Sequence, residues 1–199
     1  MPHELSVLCP DCGACATFHF AAGRLIDRNA DKPYFEASKN FEVCRVFHNG
    51  WESLAIYYHG IGTDGLHAIN DLPNGYAAND WEHGIYWIRS APGDRGAITC
   101  NACGLRRKHQ LKWPADAFFQ IAFRGHVLWA FDRSTMLSLI DYVEATDRKP
   151  VRRRGRQAFL MKVPTHFLVA KARDRVARKL RNRLAEANRG GYRDAGSVM

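Results

Sequence analysis

Two short cysteine motifs are the residues best suited to chemistry in this sequence. Cys9-Pro-Asp-Cys12-Gly and Cys100-Asn-Ala-Cys103-Gly each place two thiols on one tight turn, with a glycine directly after the second cysteine. Four thiolates from two such turns can surround one Zn²⁺ tetrahedrally, which is the usual arrangement of a structural zinc site. We therefore predict one structural Zn²⁺ per chain, bound by Cys9, Cys12, Cys100 and Cys103.

Cys15 leaves a second metal assignment open. Cys9, Cys12 and Cys15 have the C-x-x-C-x-x-C spacing of iron–sulfur ligands, although the nearby fourth cysteine and its trailing proline are missing. Zinc is the preferred assignment, with Cys15 and Cys44 as buried free thiols. Because a four-ligand site has no open coordination position, it cannot activate water, and the predicted zinc is not catalytic.

The charge is unevenly distributed along the chain, whose net charge is +9. Residues 1–147 contain 13 Lys/Arg and 17 Asp/Glu, whereas residues 148–199 contain 16 Lys/Arg and 3 Asp/Glu. Such a basic segment repels itself unless a polyanion neutralises it, so the asymmetry predicts a nucleic-acid partner. The alternative is a solvated basic helix face.

Three basic segments supply the candidate phosphate contacts. One follows the second cysteine motif, one is a linker, and one belongs to the last predicted helix. Their residues are Arg106, Arg107 and Lys108; Arg152, Arg153, Arg154 and Arg156; and Lys171, Arg175, Arg178 and Lys179.

Short strands are expected to position the cysteine motifs. Residues 16–20 and 41–47 alternate apolar and polar residues and predict strands. Asn49-Gly50 predicts a tight turn that joins residues 41–47 to a return strand at residues 51–58 in a hairpin. Residues 85–88 form a candidate buried strand. The intervening residues 60–79 predict a long irregular loop.

Helices are expected towards the C-terminus. The apolar run of residues 118–131 fits either a hairpin or the end of a helix. Ser134 is predicted to cap a helix that continues to Asp147, and Thr165 is predicted to cap the last helix. The predicted apolar faces contain Met136, Leu137, Ile140 and Val143 in the first helix, and Val169, Ala172, Val176, Leu180 and Leu184 in the second.

These patterns predict an α+β fold with two regions. Residues 1–112 would form a mixed region of short antiparallel strands, closed by the zinc ribbon and carrying the long insertion. Residues 113–199 would form a helix-rich basic region. We expect no membrane span and a cytoplasmic location, because the sequence contains no uncharged apolar run of about 18 residues and no secretory signal.

Catalytic motifs are scarce in this sequence. It contains no Walker A loop, no G-x-S-x-G and no H-E-x-x-H, which favours a non-enzymatic role. One alternative is a zinc-stapled metal-dependent nuclease that uses His67, Asn70, Asn74 and His83. Another is a stand-alone zinc-ribbon regulator that binds a specific duplex sequence.

Three features together resemble a known family. The resemblance lies in the Cys100-Asn-Ala-Cys103-Gly motif, the apolar stretch to Phe131 and the Pro164-Thr-His-Phe-Leu segment. In these features the chain resembles a family of small proteins, the large-subunit-like proteins of type IV CRISPR–Cas effector complexes. That family combines an N-terminal cysteine zinc finger, a compact α+β body and a basic helical C-terminal portion. The four cysteines are the residues that this resemblance carries over.

The resemblance implies a place in a ribonucleoprotein. The chain would bind the 5′ handle region of a crRNA and the flanking motif of duplex target DNA, next to the backbone and handle-binding subunits. Guide pairing reads most of the target in such complexes, whereas protein reads the flanking motif. We therefore expect a non-catalytic nucleic-acid-binding subunit with crRNA, target DNA and other effector subunits as partners.

Overall fold

The computed structural model describes residues 4–47, 50–62, 71–83, 94–146 and 155–189. These residues confirm the predicted α+β class, with short strands and C-terminal helices. The strands are β1 (Glu4–Leu8), β2 (Cys15–Phe20), β3 (Ala22–Leu25), β4 (Phe41–Phe47), β5 (Trp51–Tyr57), β6 (Glu82–His83), β7 (Arg95–Thr99), β8 (Arg106–Gln110), β9 (Gln120–Phe123) and β10 (His126–Trp129). The helices are α1 (Lys32–Ala37), α2 (Arg133–Glu144) and α3 (Ala170–Arg189).

The strands form three sheets. One has the order β1-β2-β7-β8, a second has the order β4-β5-β3-β6, and β9 and β10 form a two-stranded ribbon. Neighbouring strands run antiparallel in β4–β5, β3–β5, β3–β6, β7–β8 and β9–β10.

The chain divides into two compact units, residues 1–17 with 113–199 and residues 18–112. Backbone hydrogen bonds explain why the first residues group with the C-terminal part. The Ser6 N–H donates to the Phe131 carbonyl at 2.8 Å, and the Phe118 N–H donates to the Ser6 carbonyl at 3.0 Å. The division into a region of residues 1–112 and a region of residues 113–199 stays a prediction.

In the first unit, β9, β10, α2 and α3 enclose one apolar core. The ambiguous run of residues 118–131 forms a hairpin. Arg124 and Gly125 both have positive φ, at 51° and 78°, which is the backbone of a two-residue turn that matches strand twist. Glycine adopts such angles readily, but arginine rarely does. Only Gly125 is therefore a residue typical of this turn, which makes the turn hard to predict from the sequence.

The N-terminus of α2 differs from the prediction. Asp132, not Ser134, is the cap: its carboxylate accepts the Thr135 N–H at 2.7 Å, and the Thr135 hydroxyl accepts the Asp132 N–H at 2.9 Å. The helix ends at Glu144 rather than at residue 147. The predicted apolar face is wrong at Leu137, which is 40% exposed, and Leu139 is buried instead.

The start of α3 also differs from the prediction. Thr165–Phe167 forms a separate 3₁₀ turn after Pro164, so Thr165 does not cap the long helix, which begins at Ala170. Val169 precedes the helix and is 43% exposed. The remaining predicted apolar positions pack as expected: Ala172, Val176 and Leu180 are buried, and Leu184 is partly buried in the same cluster.

The second unit confirms the predicted hairpin, with β4 and β5 paired from Phe41–Tyr57 to Phe47–Trp51. One face of this hairpin packs Val46, Leu54 and Ile56 into a small apolar cluster. Its other face packs Phe41 and Tyr57 against Phe35, Tyr76 and Trp81. The predicted strand at residues 85–88 and loop residues 63–70 lie outside the described residues.

Candidate metal centre

The four predicted zinc ligands come together in the structure. Each of Cys9, Cys12, Cys100 and Cys103 offers its Sγ atom, and these four atoms all lie within 4.8 Å of one another. Cys9 and Cys100 are buried, whereas Cys12 and Cys103 are exposed. None of the six cysteines forms a disulfide. The cluster could therefore hold one metal ion through four sulfur atoms.

The two cysteine turns have the same backbone hydrogen bonds. The Gly13 N–H donates to the Cys9 carbonyl at 2.9 Å, and the Gly104 N–H donates to the Cys100 carbonyl at 2.9 Å. Both glycines occupy the left-handed region, with φ of 70° and 76°. A side chain is strained in this conformation, which explains the glycine after each second cysteine.

The first cysteine of each turn also donates a hydrogen bond. The Cys9 N–H donates to the Ala14 carbonyl and the Cys100 N–H to the Leu105 carbonyl, both at 2.8 Å. The two turns are therefore local copies of one structure. Each turn contains one buried and one exposed cysteine.

The sulfur spacing fits a single Zn²⁺. Zn–S bonds of about 2.3 Å place the sulfur atoms of a tetrahedral site about 3.8 Å apart, inside the observed limit. Cys15 does not belong to the cluster. The four clustered cysteines therefore differ from the Cys9, Cys12 and Cys15 set that the iron–sulfur alternative would use. Cys15 and Cys44 are half-buried rather than buried, which corrects their predicted environment. Burial raises the pKa of the Cys44 thiol, which favours its neutral form.

The predicted basic segment at residues 106–108 forms the exposed strand β8. Its side chains already have contacts within the second unit. Arg106 donates to the Gly62 carbonyl at 3.3 Å, and Lys108 donates to the Phe41 carbonyl at 3.0 Å. Lys108 Nζ also lies 4.5 Å from the centre of the Tyr58 ring. Arg106 and Lys108 are therefore bound to their own fold, although all three side chains of this segment are exposed.

The eleven predicted phosphate contacts include four on α3, and these four differ in their contacts. Lys179 donates to the Ala122 carbonyl at 3.1 Å and so anchors the helix to β9. Lys171, Arg175 and Arg178 are exposed. In the described part of the chain, no ion pair joins these three to a carboxylate. We call Lys171, Arg175 and Arg178 the cationic face of α3.

Other cations of α3 hold the helix in place. Arg181 pairs with Glu144 of α2 at 2.6 Å. Arg183 donates to the Phe118 carbonyl at 2.8 Å, and its guanidinium lies 4.2 Å from the centre of the Phe118 ring. The basic composition of α3 thus serves two purposes, attachment on one side and an exposed charge on the other. Arg152, Arg153, Arg154 and the Arg156 side chain lie outside the described residues.

An exposed aromatic pair was not singled out from the sequence. Phe47 and Trp51 pair at the turn end of the β4–β5 hairpin. They are 63% and 66% exposed. The sequence signal is their position directly on either side of the predicted turn, where no core residue is needed.

The fold and the site define an α+β protein with a four-cysteine site of the zinc-ribbon type. A search of protein families, curated proteins and solved structures finds none that matches this chain. Among the described residues, no helix has the length and apolar character needed to span a membrane.

Proposed function

We propose that this chain is a non-catalytic nucleic-acid-binding subunit whose fold is held by a structural zinc ion. The observation that carries the proposal is the cationic face of α3. Lys171, Arg175 and Arg178 project from one side of the helix, opposite the buried Val176 and Leu180. One side of α3 would therefore contact phosphate, while the opposite side of the same helix packs into the core.

The spacing of the cationic face suits a phosphate backbone. Residues 171, 175 and 178 are neighbours on one helical face and span about 10 Å along the axis, at 1.5 Å per residue. Arginine presents a planar fork of donors that matches phosphate oxygens. Helix α3 contains eight Lys/Arg and two Asp/Glu, so its field attracts a polyanion.

The closed metal site supports a non-enzymatic role. Four sulfur ligands would leave no position on the zinc for substrate or water. The ion would stabilise the two turns, and side chains outside the metal site would bind the nucleic acid. The cluster thus gives a physical reason to expect binding without metal-assisted cleavage.

The resemblance to the large-subunit-like protein of type IV CRISPR–Cas complexes makes the proposal more specific. In this version the chain binds the 5′ handle region of a crRNA and the flanking motif of duplex target DNA. Its other partners are the backbone and handle-binding subunits. The combination of a cysteine zinc site, an α+β body and a basic C-terminal helix is what supports this assignment.

The salt dependence of binding tests the cationic face. We expect Arg175→Gln with Arg178→Gln to weaken binding of a 20-base-pair DNA duplex and to flatten the log–log dependence of affinity on KCl concentration. Each lost phosphate contact should reduce the slope by about 0.9, because fewer counterions are released. Fluorescence anisotropy at a series of KCl concentrations measures both changes.

A matched variant controls for net charge. Lys32→Gln with Lys39→Gln also removes two positive charges, but from residues around α1. This variant should keep the wild-type slope. If the two double variants change the slope equally, or if neither changes it, α3 is not the phosphate-binding element.

A further inference from the structure

An aromatic pair and an arginine form an exposed cluster at the end of the β4–β5 hairpin. The rings of Phe47 and Trp51 meet edge to face, with their centres 5.6 Å apart. The Arg45 guanidinium lies 5.1 Å from the centre of the Trp51 ring. About two-thirds of each aromatic residue is exposed, which is unusual for two large apolar side chains in contact. We call Arg45, Phe47 and Trp51 the hairpin tip.

The hairpin tip lies on the same face of the β4–β5 hairpin as Phe41 and Tyr57, but beyond the apolar cluster that covers those two residues. Phe41 and Tyr57 pair at the base of the hairpin and are buried, whereas Phe47 and Trp51 pair at its end. Phe47 lies six positions after Phe41, which is about 20 Å of extended strand. All four aromatic residues lie on one face, because side chains alternate along a strand. The apolar cluster therefore buries the first pair, whereas about two-thirds of the second pair stays exposed to solvent.

The charge on this face suits an anionic partner. The β4 and β5 residues on the same face as the hairpin tip include no acidic residue. The two acidic residues of these strands, Glu42 and Glu52, lie on the opposite face. Glu42 is bound there by Arg95 at 2.5 Å and by the Tyr58 hydroxyl at 2.8 Å. Arg45 is thus the only charged side chain among the described residues of this hairpin face.

We propose that the hairpin tip is a stacking site for an unpaired nucleobase of single-stranded nucleic acid. A base would stack on the exposed indole of Trp51, which Arg45 already contacts, while the Arg45 guanidinium attracts the adjoining phosphate. Every base has an aromatic face, so this contact selects unpaired bases over paired ones without selecting a sequence. The inference rests on the proposed nucleic-acid-binding function and adds a second contact that is independent of α3.

Binding of matched oligonucleotides tests the site in the full-length protein. The probes are a fluorescein-labelled 20-nucleotide single strand and the blunt duplex of the same sequence, measured by anisotropy at one salt concentration. Trp51→Ala should weaken single-strand binding by about 5- to 150-fold, the loss expected for one stacked base. Duplex binding should stay within about twofold, because a blunt duplex has no unpaired base to offer.

Two further variants separate stacking from folding. Trp51→Phe keeps an aromatic ring and should recover most of the single-strand affinity. Leu137→Ala removes an exposed apolar side chain from α2 and should leave both affinities unchanged. Equal losses for both probes with Trp51→Ala would overturn the stacking site, since they would indicate general damage to the fold.

A measurement on the unmodified protein does not depend on how the variants fold. A single strand containing 5-iodouracil should crosslink under near-ultraviolet light to the peptide that contains Phe47 and Trp51. Crosslinks confined to other peptides would overturn the site.

The remaining outcomes distinguish this inference from the function on which it rests. If wild-type protein binds neither probe, both the proposed function and the stacking site fail. If it binds both and Trp51→Ala changes nothing, the stacking site alone fails. If Trp51→Ala instead abolishes a dimer seen by light scattering, the hairpin tip is a contact between copies of the chain and not a base-binding site.

Discussion

At the scale of single residues, two equivalent turns explain the metal site. Each turn needs a cysteine, a second cysteine three residues later and a glycine with positive φ directly after it. The glycine N–H bonds the first cysteine carbonyl in both turns, so the thiols are positioned locally. The metal would then connect two preformed turns, rather than order a flexible loop.

Replacing one buried ligand should remove the metal. We expect Cys9→Ser to lose zinc and to lower the melting temperature strongly, because structural zinc contributes ~10–16 kcal/mol of apparent binding free energy in zinc-finger peptides. Elemental analysis of the purified protein gives the zinc content, and circular dichroism gives the melting curve.

Cys44→Ser is the matched control for this change. Cys44 is a half-buried thiol outside the four-cysteine cluster, so this variant should retain one zinc per chain. A Cys9→Ser protein that melts like the wild type would show that the site does not stabilise the fold.

At the scale of elements, short polar contacts decide where the helices begin. Asp132 and Thr135 exchange two hydrogen bonds at the start of α2 and satisfy N–H groups that the helix itself leaves unbonded. Ser134 lies two residues further along and donates to the Asp132 carboxylate at 2.8 Å. It supports the cap without being the cap.

Two alanine variants distinguish these roles. Asp132→Ala should reduce the free energy of unfolding by about 1 kcal/mol, the usual effect of removing an N-cap. Ser134→Ala should cost clearly less, because Asp132 still accepts the Thr135 N–H. Urea denaturation of both variants measures the difference, and a larger loss for Ser134→Ala would contradict the assigned cap.

At the scale of the whole molecule, the basic residues fall into two groups with different uses. Lys108, Lys179 and Arg183 donate to backbone carbonyls of their own units. Lys171, Arg175 and Arg178 remain exposed on α3. Some basic residues of the chain therefore stabilise its own fold, and a smaller number of basic residues is available to bind a partner.

The native partner is the most direct whole-molecule test. If the chain is a subunit of a crRNA-guided complex, affinity purification from its own cells should recover a discrete RNA of guide length together with other protein subunits. Tagged protein with Arg175→Gln and Arg178→Gln should recover less of this RNA per mole of protein. Recovery of the chain alone, or with RNA of random length, would contradict the ribonucleoprotein proposal.

Local patterns predicted much of this structure. The β4–β5 hairpin follows from the alternation of residues 41–47 and the Asn49-Gly50 turn signal, and the four cysteines follow from two repeated motifs. The helix caps and the Arg124-Gly125 turn were less predictable. Several Ser, Thr and Asp residues compete to cap each helix, and arginine is an uncommon residue at positive φ.

The sequence by itself determined the four-cysteine cluster and the basic character of the C-terminal part, because both depend on residue type and short-range spacing. Only the tertiary structure decided which cations and aromatic residues remain available. Lys179 and Arg178 are adjacent in sequence, but Lys179 bonds a carbonyl of β9 while Arg178 faces solvent. Phe41 and Phe47 share one strand face, but only Phe47 extends beyond the core. Exposure depends on what distant segments cover, and no local pattern contains that information.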